Sequence, residues 1–388
     1  MQIDFHHGVT YVVARLAGFE HEAAEIIAYS AQYVDDATNA GVIGFNNGTT
    51  FYHISSAHKF LDYRNFRELA QHQVWIPFHF LPGNGGLPAD QSPAGSPIEK
   101  LICRPNSYVA QEMVAACFDI AGRQRGVSES DAASHSHNLY RFGIAMHVYA
   151  DTWAHQGFAG INHPVNEAKI LVDAQGNLDQ RSTERVKRYF HKNITNRLAR
   201  LVISEGFPLG HGAVLSNPDR PYLQWGYING LDQRIMRNNS RDFLEAADQM
   251  CCWMQRYRIG DAGADCPGLP LDDKQKIAQL FQGTTERSSK VRHRVWLQAI
   301  ASGHFSFGKT QVCYRAKGKG SWKYEAIGTE AIIDSGDEVF PFQAAFIDSH
   351  WKRFHDALKD HRAYVVDQLL PKYGIHVEGS RTVVEAVQ

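Results

Sequence analysis

The stretch that decides the fold is FGIAMHVYADTWAHQGFAG, Phe142–Gly160. Its apolar residues, among them Phe142, Met146, Val148 and Tyr149, surround polar ones at helical spacing, so residues 136–156 read as one long helix. Within it His147, Asp151 and His155 stand four residues apart. Side chains at i, i+4 and i+8 share one face, so two imidazoles and a carboxylate form a ridge on a helix otherwise suited to burial. The rise per residue separates the outer two Cα atoms by roughly 12 Å, too far for both rings to reach one ion across bonds of about 2 Å. A carboxylate between them has two oxygens. The spacing therefore predicts a bridging Asp151, with each histidine serving a different cation. Without partners, three such buried groups would be costly. The plainer alternative is that each is a satisfied core residue.

Outward from this helix the pattern stays helical. VTYVVARLA (9–17) stops at Gly18, and EHEAAEIIAYSAQYV (20–34) carries Ala24, Ile27, Ala31 and Val34 on one stripe. DDATNAGVIGFNNGTT reads as loop and SSAHKFLDYRNFRELAQ (55–71) as helix. GNGGLPADQSPAGSP (83–97) is a Gly/Pro-rich loop of a length that usually serves a function. Helical runs continue through the middle of the chain and through the tail as far as Pro371. One segment departs: HFSFGKTQVCYRAKGKGSWKYEAIG (304–328) reads as two β-like runs joined by a Gly-rich turn. The expectation is a mainly α chain, a single helical domain over 1–388 with a small late β-hairpin insertion at 300–330.

Composition narrows the function classes. Apolar residues make up 44 % and charged residues 21 %, as in a globular chain with a packed core. The net charge of −1 disfavours a dedicated nucleic-acid binder. The six cysteines show no CxxC pair and no zinc-finger spacing, so free thiols are expected. The start, MQIDFHHGVTYVVARLAGF, lacks the basic and apolar regions of a Sec signal peptide, and no run suits a transmembrane helix. Cytoplasmic residence and export by a non-Sec route both remain open. Histidine is over-represented, at 20 residues, many of them before residue 220 and beside aspartates.

Further cation ligands must come from elsewhere in the chain. MQIDFHHG offers His6 and His7, and SAQYVDDATN offers Asp35 and Asp36 at a helix C-terminus, where the dipole disfavours acids unless a cation is near. TTFYHISSAHKF offers His53 and His58, and PLGHGAVLSNPDRP offers His211 with Asp219. His79, His135, His137 and His163 are rivals.

The order of these residues resembles the zinc-dependent phospholipase C and P1 nuclease superfamily, whose members are α-helical and hold three zinc ions. On that resemblance the metal ligands are His6, Asp36, His53, His147, Asp151, His155 and His211. A wider ligand set takes in His7, Asp35, His58, His79 and Asp219. GIAMHVYADTWAHQGFAG is also similar to the HxxxD…WH segment of the phospholipase domain of glycosylphosphatidylinositol-specific phospholipase D. A looser whole-chain likeness is to bacterial phosphatidylcholine-type phospholipases C. Two features differ. The secreted bacterial members present a processed N-terminal Trp to one zinc, whereas this chain has Met1, and their final HxxxE is replaced by His211 with Asp219.

The resemblance implies a multi-helix phospholipase C/P1 nuclease-like bundle, two or three Zn2+ and phosphoester hydrolysis. The substrate would be a phosphatidylcholine-type lipid, cleaved to diacylglycerol and a phosphorylated head group. One of Asp35 and Asp36 would be the general base and the other a ligand. A peripheral membrane contact would fall on the aromatics and lysines of 304–328, and Trp75, Phe78 and Phe80 could line an acyl or choline pocket. The alternatives are a nuclease or nucleotidase on the same tri-zinc cluster, and a non-catalytic helical protein with a structural metal or haem.

Overall fold

The computed structural model describes residues 1–57, 71–123, 132–193, 213–332, 338–378 and 381–384. The chain begins with a wide π turn, Asp4–Val9, which runs directly into α1 (Thr10–Leu16). After a left-handed Gly18, α2 (His21–Asp36) buries the stripe Ala24, Ile27, Ala31 and Val34 that its spacing predicts. An antiparallel pair follows, β1 (Gly41–Phe45) and β2 (Thr50–His53). Two long helices come next, α3 (Tyr108–Arg123) and α4 (Ala132–Ala154). A second antiparallel sheet is built from β3 (Ala168–Val172), β4 (Gln224–Asn229) and β5 (Arg234–Asn238), with α5 (Gln180–Asn193) between the first two strands in sequence. Further helices are α6 (Asn239–Ile259), α7 (Leu271–Gly283), α8 (Ser289–Ser302), α9 (Trp322–Ile327) and α10 (His350–Tyr364). The short β6 (Val339–Phe340) pairs parallel with β1, and β7 (Ile375–Glu378) pairs with β8 (Arg381–Val384). The architecture is mainly α with small sheets.

α4 is the hub, touching α2, α3, α6 and α10. Phe142, Met146, Val148, Tyr149 and Trp153 on it are buried in the main apolar cluster. Its approach to α2 depends on Gly143. A Cβ there would stand 2.6 Å from the Ile27 carbonyl oxygen and 2.7 Å from the Ser30 Cβ. Glycine costs about 1 kcal/mol of helix propensity. Its lack of a side chain here lets the two backbones meet and sets the end of α2 against the ridge of α4. A similar close contact fixes the start of the chain: a Cβ on Gly8 would lie 2.9 Å from the Cβ of Trp296 on α8.

The expected hairpin at 300–330 does not form. No strand lies in that range; α8 ends at a left-handed Gly303, irregular chain follows, and α9 begins after Ser321. The alternation of aromatic and polar residues has another cause. Phe305 stacks on Trp296 at 6.1 Å, and Trp322 stacks on Tyr29 at 3.8 Å, so each ring fills its own gap on the helical core. Such tertiary packing overrides local β preference. Of the aromatics and lysines in this segment, Phe305, Trp322 and Lys323 are buried, whereas Lys309 and Lys319 are exposed. The strands that do form, β3 to β5 above all, lie outside that range. No described helix is long and apolar enough to cross a membrane.

Candidate metal centre

α4 presents His147, Asp151 and His155 along one ridge, as its spacing requires, with His155 in the turn just after the last helical residue. Asp151 is 1 % exposed, and its two oxygens face different neighbours. Oδ1 lies 2.5 Å from the Met1 nitrogen and 3.2 Å from His6 Nε2. Oδ2 lies 3.3 Å from both His79 Nδ1 and His147 Nε2, and 3.6 Å from His155 Nδ1. Asp35, near the end of α2, brings Oδ1 to 3.9 Å from the same nitrogens of His79 and His147. Its side chain is 31 % exposed, whereas those of His6, His79, His147 and Asp151 are nearly sealed from solvent.

The outward-facing ring nitrogens are tied to the backbone. His147 Nδ1 donates to the Ala31 carbonyl at 2.7 Å, and His79 Nε2 donates to the Ser56 carbonyl at 2.9 Å. These two bonds fix the tautomer and leave the inner nitrogens of His147 and His79 with a lone pair, the arrangement found behind metal-bound histidines. In His155 the ring nitrogen that faces Asp151, Nδ1, is itself the donor, to the carbonyl of His79 at 2.6 Å. The inner nitrogens of His79 and His147 then stand 3.3 Å apart with a carboxylate oxygen equally close to each. Three acceptors that converge in a buried space repel one another unless a cation or extra protons lie between them. His6 adds to this demand: it is fully buried, stacks on His147 at 3.8 Å, and neither ring nitrogen makes a hydrogen bond.

The electrostatics follow from the geometry. Burial works to raise the Asp151 carboxyl, but His155, the Met1 ammonium, His147 and His6 together hold it well below the usual carboxylate range. Burial raises Asp35, only partly opposed by His147 and His79. Burial drives His6 well below its ordinary value, helped by His147 and the ammonium. The Met1 ammonium is raised to about 10; burial acts against this, and Asp151, Asp219 and Asp35 outweigh it. The ammonium thus stands as a cation set against Asp151, Asp219 and Asp35.

Among the described residues two triplets have ligand atoms mutually within 4.8 Å and could each hold a metal ion: His6, Asp35 and His147, and His79, His147 and Asp151. The structure therefore brings together His6, Asp35, His79, His147 and Asp151, with His155 at the edge and Asp219 at 3.4 Å from the Met1 nitrogen. The donor set, imidazole nitrogens with carboxylates, suits zinc. Other candidates face elsewhere. Asp36 Oδ2 accepts from Gln32 Nε2 at 3.0 Å and from the Tyr314 hydroxyl at 2.7 Å. His7 pairs with His293 across 2.9 Å, and the His53 ring lies 5.3 Å from those of Trp351 and His355. His163 caps a short turn by accepting from the Val165 N–H. His58, His211 and the side chains of His135 and His137 lie outside the described residues.

Two features of the centre carry little signal in the sequence. His79 belongs to IPFHFLPG, where the only hint is a histidine between two phenylalanines that are buried in the fold. The Met1 nitrogen reaches Asp151 because Arg292, fully buried on α8, clamps the first residues: its guanidinium donates to both Asp4 oxygens, at 2.5 and 3.1 Å, and to Gln2 Oε1 at 2.8 Å. No local pattern announces a partner 288 residues away.

No curated protein and no solved structure matches this chain. Residues 1–369 match the family described as "Family of unknown function (DUF6765)", and the chain belongs to that family.

Proposed function

We propose that the protein is a zinc-dependent phosphoester hydrolase of the phospholipase C type. It would hold two or three ions on His6, Asp35, His79, His147 and Asp151, with His155 and Asp219 at the margin. The observation that carries this reading is the convergence of Asp151 Oδ2 and the inner nitrogens of His79 and His147, each buried and each an acceptor. Zinc bound among them would polarise a phosphoryl group and bring the pKa of a water toward neutrality.

The chain's own residues supply the rest. The backbone carbonyls of Ala31, Ser56 and His79 orient three imidazoles. Asp35 is the carboxylate of the cluster nearest solvent, and burial raises its pKa, which suits a group that accepts a proton from an attacking water and later releases it. Asp36, engaged by Gln32 and Tyr314, takes no part in this reading. Phe80 stacks on His155 at 4.3 Å and closes one side against water. Trp75, half-buried with its ring 5.2 Å from that of His79, supports a recess for a cationic head group through cation–π contact.

The test is a hydrolysis screen of zinc-loaded protein with phosphatidylcholine vesicles, p-nitrophenyl phosphorylcholine and single-stranded DNA, beside metal analysis. Two or three zincs per chain with release of phosphocholine support the reading. Cleavage of DNA alone would reassign the same centre to a nuclease. A tight single metal with no turnover on any substrate would leave a non-catalytic metal protein.

A further inference from the structure

We propose that a recess on the far side of the α2 C-terminus binds a protonated phosphate-type oxyanion, either inorganic phosphate or a phosphate monoester. The recess encloses about 20 Å³. Its base is formed by the buried Tyr33, His53, Lys323, Trp351 and His355, and its rim by the partly exposed Thr38, Asn39 and Lys317. The enclosed part has room for an atom or two of oxygen size. A tetrahedral oxyanion would sink one or two oxygens into it and leave the remainder at the rim, where an ester substituent could continue into solvent.

Charge selects the sign of the ligand. Lys317 and Lys323 both line the recess, and Lys317 Nζ is already turned inward, donating to Thr38 Oγ1 at 2.9 Å. Among the described residues the one acid in the lining is Asp36, and Gln32 and the Tyr314 hydroxyl both donate to its Oδ2. Two ammonium groups facing one cavity disfavour a metal ion there, although two histidines with rings 5.3 Å apart line it as well.

His355 selects the protonation state. It is 2 % exposed. One ring nitrogen is paired with the Ile54 carbonyl, which requires an N–H, so the neutral ring offers a lone pair at Nδ1. That Nδ1 has no hydrogen-bond partner. A buried acceptor of this kind calls for a donor. Burial, His53, Lys359 and Lys323 all disfavour an imidazolium, so the donor must come with the ligand. Near neutral pH inorganic phosphate carries at least one P–OH and a phosphate monoester carries one in its monoanionic form, whereas sulfate is fully deprotonated. Lysines on one side and an acceptor on the other thus fit phosphate and reject sulfate.

Phosphate would also bind the proposed zinc centre, so the experiment separates the two. Inorganic phosphate, sulfate and glycerol 3-phosphate are titrated calorimetrically into zinc-loaded wild type, Asp151→Ala and Lys317→Met, with Asp35→Asn as the alternative should D151A fail to fold. D151A is expected to retain one phosphate event. K317M is expected to weaken that event about tenfold or more, and sulfate should bind about a hundredfold more weakly than phosphate. Tighter binding of glycerol 3-phosphate would identify a monoester, and equal or weaker binding would identify free phosphate. Loss of all phosphate binding in the metal-centre variants would confine the anion to the zinc site and overturn the recess proposal while sparing the hydrolase reading. Equal affinity for sulfate, or no effect of K317M, would also overturn it.

Discussion

Gly143 is the position where packing and the metal centre are most directly coupled, and Gly143→Ala tests that coupling. Alanine gains about 1 kcal/mol of helix propensity over glycine, which by itself would stabilise α4. Against this, the new methyl would sit 2.6 Å from the Ile27 carbonyl oxygen and 2.7 Å from the Ser30 Cβ. The first of these is backbone, so no rotamer change relieves it, and α2 must back away by roughly 0.6 Å to restore ordinary contact. Overpacking of this kind costs about 1–3 kcal/mol, so the net effect on folding is a loss of about 0–2 kcal/mol. The centre should be hit harder. Asp35 lies on the same helix two turns beyond Ile27, and metal ligands tolerate only about 0.2 Å of displacement. The expected outcome is zinc affinity reduced by about tenfold or more, in a variant whose melting temperature falls by only a few degrees. Chelator competition measures the first and thermal denaturation of the metal-free protein the second. A variant with wild-type zinc affinity, or one more stable than wild type, would refute the claim that the α2–α4 approach sets the site.

Asp151→Ala should lose at least one zinc by elemental analysis and essentially all turnover; a full complement with undiminished rate would remove the basis of the proposed function. Asp35→Asn should lower turnover about a hundredfold or more, as expected on removing a base, while Asp36→Asn stays within about threefold of wild type. Arg292→Met should destabilise the protein by about 3–5 kcal/mol in urea unfolding, because it strands buried Asp4 without its partner. His361 tests the acid side of stability. Burial, then the nearby Arg141, lowers its pKa to about 3, and the ring donates to the Pro77 carbonyl. The unfolded chain takes up this proton below about pH 6.5 and the folded one does not, so stability is complete above that pH and falls as the pH drops toward the folded value. Between pH 7 and pH 5 the loss is about 2 kcal/mol from this residue, and urea titrations of wild type and His361→Gln at the two pH values should differ by that amount.

The helix Ala132–Ala154 and the stripe on His21–Asp36 follow from apolar spacing, which is a local property and so can be read from the chain. The ridge of His147, Asp151 and His155 is local in the same sense, since helical pitch alone puts the three on one face. Pitch cannot say which other residues meet that ridge. Asp35 and Asp36 are chemically identical neighbours, and about 100° of helical rotation sends one to the histidines and the other to Tyr314. His79 and His53 are both plausible in sequence, and only the path of the chain puts one beside Asp151 and the other beside Trp351. The aromatics of 304–328 look strand-like in sequence, yet lie singly on the helical core, where tertiary packing of each ring outweighs local β preference. The sequence by itself determined the ridge-bearing helix, the stripe of the helix packed on it and one side of the centre. The tertiary structure decided its remaining members, because contacts between residues hundreds of positions apart, such as Asp4 with Arg292, are set by how helices stack and leave no periodic trace.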